Sequence, residues 1–67
     1  MTKLFNVDAD AETGEWLGHA KEIGTVDLAE FHRRVDTGDE HFDTFEHDGE
    51  TCAVIVHWVD EAEGGAQ

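Results

Sequence analysis

The chain has no proline, no serine and a single cysteine, Cys52, and its 67 residues include only four lysines and arginines. Each scarcity excludes something. One cysteine cannot make a disulfide framework, and such sparing use fits a reducing, cytoplasmic setting better than a secreted scaffold. Without serine there is no serine nucleophile, and without proline the glycines are left to punctuate the chain. Four basic residues against 17 acidic ones give a formal net charge of −13. That balance speaks against nucleic-acid binding, because phosphate affinity is built from Lys and Arg contacts, and only Arg33 and Arg34 stand together. No stretch approaches the ~20 apolar residues of a membrane span. The N-terminus lacks the apolar core of a signal peptide, so neither export nor membrane insertion is expected.

What is present points to a folded domain. The acids run from Asp8 to Glu63 instead of forming one block, and lysine occurs only at Lys3 and Lys21. Such a dispersed acidic surface resembles that of proteins adapted to concentrated salt, which screens self-repulsion. Trp16, Trp58, Phe5, Phe31, Phe42 and Phe45 sit in periodic segments, and the run from Cys52 to Val56 is too apolar for a solvated tail. A core this small rarely supplies more than about 3–5 kcal/mol of net stability. Oligomerisation, bound metal or solvent ions are then expected to add to it.

The periodicities predict one α+β domain over 1–60, a ββαββ arrangement, followed by a flexible acidic and glycine-containing tail over 61–67. Lys3–Asp8 alternates as a strand. The turn formers from Asp8 to Glu15, with Gly14 in a positive-φ position, lead into a second strand over Trp16–Ile23. A helix over 11–20 competes for the same residues, at the cost of two internal glycines. Asp27 or Thr25 is the expected cap, Asp27 and Glu30 having the form of a capping box, and Leu28, Phe31, His32 and Val35 draw one apolar stripe on a helix that ends near Gly38. This amphipathic helix is expected to cover an antiparallel sheet. Asp48-Gly49 between apolar runs predicts a type I′ hairpin. The resulting register pairs His47 with Glu50, Phe45 with Cys52, Asp43 with Val54 and His41 with Val56. One face then carries Phe45, Cys52, Val54, Val56 and Trp58; the other carries Phe42, Ala53, Ile55, His57 and Val59. With both faces apolar and only one helix available, the row Phe45, Cys52, Val54, Val56 and Trp58 is the expected seam of a homodimer.

The chemistry-bearing residues form no catalytic constellation, so an enzyme is not expected, and no cofactor is implied. His41, His47, Cys52 and His57 lie within one hairpin, yet His41 and Cys52 are about 13 Å apart at ~3.3 Å per residue, and His57 faces the other way. Within one chain only a one-residue change in loop length, putting His41 opposite His57, would offer a zinc ion a cross-strand pair; a metal or small-ligand site is otherwise expected across a dimer seam, from His41, His57 and Cys52 of two chains. The Asp8-x-Asp10-x-Glu12 spacing starts like a calcium loop, but Thr13 stands where the loop glycine is required. The leading expectation is a small, acidic, non-enzymatic interaction or regulatory module.

The order helix, Gly38, strand, then Gly49-Glu50-Thr51-Cys52-Ala53-Val54-Ile55-Val56 resembles the Gly-x-x-x-Ala-Val-x-Val ending of the DNA-binding half of Phd/YefM-type antitoxins. The resemblance covers about half the chain and implies an antitoxin-like regulator. The basic residues such antitoxins place before the glycine are here Glu46, His47 and Asp48, and no toxin-wrapping segment follows.

Overall fold

The computed structural model describes residues 1–60, so the predicted tail over 61–67 lies outside the described residues. Four strands and one helical turn follow one another: β1 (Thr2–Asp10), β2 (Lys21–Val26), α1 (Leu28–Phe31), β3 (Glu40–His47) and β4 (Glu50–Val59). They form one mixed sheet in the order β2-β1-β4-β3. β1 and β4 pair in parallel at its centre, and β2 and β3 flank them antiparallel. β4 carries the most apolar stretch of the chain and is covered on both faces, whereas β1 beside it buries one face, Phe5, Val7 and Ala9.

The β3–β4 hairpin has the predicted register, from His47 opposite Glu50 to His41 opposite Val56. Its turn residues Asp48 and Gly49 both have positive φ, 52° and 79°, as a type I′ turn requires. The predicted sidedness also holds. Cys52, Val54 and Val56 join Phe5, Val7 and Ala9 in one apolar cluster, with Ala20, Phe45 and Trp58 packed against it. Ala53 lies in a second cluster with Val26 and Phe31, which Leu4, Phe42 and Ile55 adjoin.

The expected ββαββ architecture with a long amphipathic helix on an antiparallel sheet is not what the chain adopts. The sheet is mixed, and the helix is a single turn of four residues, Leu28–Phe31. Asp27 caps it as predicted, accepting from the Ala29 and Glu30 amides. The helix then tightens, with Arg33 N–H donating to Glu30 and Arg34 N–H to Phe31, and stops. Two forces end it. Starting a helix is costly, and only burial of Leu28 and Phe31 offsets that cost; Val35, the next residue of the stripe, is 80% exposed. Asp36 is meanwhile engaged by β3, where its Oδ1 accepts from the Phe42 amide.

The antiparallel return strand exists but starts later than the predicted Trp16–Ile23, of which only Lys21–Ile23 fall in β2, and no helix forms over 11–20. Asp10 Oδ1 accepts from the Glu12 and Thr13 amides and closes a turn in which Gly14 has φ 78°. Trp16 then makes one isolated bridge to Ala9, and regular pairing resumes only at Lys21 opposite Asn6. The connection from β2 to β3 carries α1 between the two edges of the sheet. It lays Phe31 on the cluster of Val26 and Ala53.

Candidate interaction surfaces

Burial within one chain decides how much of the predicted seam is left for a partner. Cys52 and Val54 are each 1% exposed and Val56 is buried. The reason is an aromatic roof. Phe5 on β1 and Phe45 on β3 belong to the strands on either side of β4, and their rings meet edge to face with centroids 5.2 Å apart. Trp16 packs edge to face on Phe45 at 5.4 Å. Of the five predicted seam residues, only Phe45 and Trp58 remain half-buried. Trp58 packs on the cluster of its own chain and stacks with His41, centroids 5.7 Å apart and planes 24° from parallel. The second-layer requirement inferred from the two-sided strand is met inside the chain, by this roof on one face and by Phe31 on the other.

The histidines and the cysteine do not converge. Glu40, not His41, stands opposite His57, and His57 Nδ1 lies 3.7 Å from Glu40 Oε2. Cys52 is buried as a free thiol. Among the described residues no group of three His, Cys, Asp or Glu side chains is placed to hold a metal ion. No described helix is long and apolar enough to cross a membrane.

The free edge of β3 is closed by its own neighbours. Asp36 accepts from the Phe42 amide, Asp43 from the Thr44 amide, and Thr37 Oγ1 from the Glu40 amide, while Thr37 N–H donates to the Glu40 carbonyl. These groups point away from β4, so the strand shows few open sites to an adding chain, a recurrent protection of exposed edges. Asp36 also reaches His41, its Oδ2 2.5 Å from Nδ1, and Asp43 Oδ2 lies 3.4 Å from Nε2. The hydrogen bond that His41 donates to Asp36 raises the His41 pKa; the Phe42 amide first, and His41 second, lower that of Asp36.

This clamp has a definite pH signature. The His41 contribution is present in full below the unfolded imidazole value of ~6.5 and is lost as pH rises through the higher folded value. The Asp36 contribution is present above the unfolded carboxyl value of ~3.9 and is lost as pH falls through the lower folded value. Thermal melts in constant molar salt should therefore show a higher melting temperature near pH 5.5 than near pH 8. His41→Gln should shrink that difference; an unchanged difference in the variant would remove His41 as its source.

Beside the aromatic roof lies an open groove of about 200 Å³, lined by Phe5, Trp16, Gly18, His19, Ala20, Phe45 and His47. Three aromatic rings and two imidazoles line it, and no carboxylate does. The irregular connection creates it, because after the Trp16 bridge and the bond from the Leu17 N–H to the Asp8 carbonyl regular pairing lapses until Lys21. Large apolar side chains are exposed along the same stretch: Trp16 and Leu17 at 41% and Ile23 at 52%. Sequence reasoning missed this region because it expected Trp16–Ile23 to be a regular strand. The cluster of turn formers before Trp16, with Gly18 just after it, was the available signal.

No family model, curated protein or solved structure matches the chain. The antitoxin-like pattern accordingly has no support beyond the hairpin residues that suggested it, and the helix it calls for is one turn long.

Proposed function

We propose that the protein is a small, acidic, non-enzymatic interaction module of the kind suited to concentrated salt, self-associating as a homodimer through the exposed Leu17 and Ile23 side chains. The supporting observation is the exposure of Leu17 and Ile23 within one short stretch of a strongly acidic chain. Exposed apolar groups in a polar surround mark contact sites. The seam expected on Cys52, Val54 and Val56 gives way to this surface because those side chains already have partners in their own chain. Salt supports the same reading, since it weakens the repulsion between two chains of charge −13.

Sedimentation equilibrium in 1 M salt tests it. A concentration-dependent dimer that is weakened by Leu17→Glu is expected. A strict monomer at high protein concentration removes the self-association, and a dimer indifferent to Leu17→Glu moves the contact elsewhere.

A further inference from the structure

Deepening that interaction-module reading, we infer that the groove between the Phe5, Phe45 and Trp16 rings and the Gly18–Ala20 segment takes a cationic side chain, lysine or arginine, presented by a basic protein partner. The walls suit such a guest. Aromatic rings attract cations through the negative potential of their faces, most strongly in tryptophan, and accommodate the methylene stem of the same side chain. At about 200 Å³ the groove holds one side chain and not a segment of chain. It opens to the surface, and Trp16 on its wall is 41% exposed, which suits a group carried on another protein.

Charge selects the partner's sign. A net charge of −13 steers basic proteins toward the molecule and repels anions. The lining contains no carboxylate to bind a cation as an ordinary surface ion pair, so short-range recognition falls to the rings. Asp48 Oδ2 lies 3.4 Å from Nε2 of the lining residue His47. The two features divide the work: the diffuse acids bring a basic partner close at low salt, and the rings provide contact that survives screening.

The experiment separates them by working in 1 M salt, where the Debye length is only ~3 Å. Blocked trilysine peptide is titrated into the isotope-labelled protein and followed by NMR, beside trinorleucine as its uncharged counterpart and tetramethylammonium as a free cation. The Trp16 indole and Phe45 ring signals are expected to shift with trilysine while the Trp58 indole stays in place. Trilysine should bind about tenfold more tightly than trinorleucine, and Trp16→Leu, which leaves net charge unchanged, should weaken it by about the same factor. Equal binding of the charged and uncharged peptides overturns the inference. So does trilysine binding that ignores Trp16→Leu, which reads surface charge alone, or tetramethylammonium bound as tightly as the peptide, which reads a site for a free small cation. Should Trp16→Leu fail to fold, the shift map of the unaltered protein decides, and an unmoved Trp16 indole overturns the inference. A dimer that binds no trilysine defeats the groove and leaves the module reading standing. A monomer that binds it defeats only the self-association.

Discussion

Phe31→Ala is expected to leave the domain unfolded even in molar salt. Phe31 is the one helix side chain that is fully buried, and it touches both central strands through Leu4, Ala53 and Ile55 and reaches each edge through Val26 and Phe42. Its ring meets Phe42 edge to face at 5.7 Å, and the Arg34 guanidinium lies over both rings at 5.9 and 5.7 Å. Truncating a buried phenylalanine to alanine typically costs about 3–5 kcal/mol. A core of this size supplies about 3–5 kcal/mol in total, so the two are equal and the fold is lost. Phe31→Leu retains most of the apolar volume and should melt cooperatively at a lower temperature. Circular dichroism on both variants in 1 M salt tests this; a Phe31→Ala protein with a near-normal melt would mean that the second cluster contributes little.

The second large effect is expected from salt itself. Lowering salt from 1 M to 0.01 M lengthens the Debye length from ~3 Å to ~30 Å, beyond the 12.7 Å radius of gyration. Each carboxylate then acts on most of the others. Little fixed positive charge opposes them, since the close contacts of Asp36, Asp43, Asp48 and Glu40 are with histidines and not with lysine or arginine. Circular dichroism should show the strand signal disappearing at 25 °C as salt is dialysed away and returning when it is restored. A spectrum and melting temperature that stay constant from molar to millimolar salt would end the case for a salt-adapted surface.

Phe31 and the acidic surface also mark the boundary between local and tertiary information. The Asp48-Gly49 turn is a local device, because two residues that tolerate positive φ, set between two alternating runs, determine which residues of β3 and β4 face each other. That register was legible, along with the division of Cys52, Val54 and Val56 from Ala53 and Ile55, and the Asp27 cap. Two sides of one strand were read as apolar correctly, but the reason for it was missed. β4 is apolar on both faces because β1 lies beside it in the middle of the sheet, with an aromatic roof above and Phe31 below.

Nothing near β1 in sequence announces that its parallel neighbour lies at the far end of the chain, since long-range pairing is decided by which arrangement buries the most apolar surface. The helix failed for a related reason. The spacing of Leu28, Phe31, His32 and Val35 is a necessary feature of an amphipathic helix, but a helix this short persists only as far as tertiary burial supports it. Here the sheet has room for Phe31 and none for Val35, and the Phe42 amide competes for Asp36. The groove had even less local signature, because it arises where regular pairing lapses between Leu17 and Lys21. Sequence alone determined the acidic surface, the C-terminal hairpin with its register and faces, and the start of the helix, all through charge or contacts between near neighbours. Only the tertiary structure decided the place of β1, the length of the helix and the aromatic groove, because each depends on surfaces that meet only once distant parts of the chain are packed together.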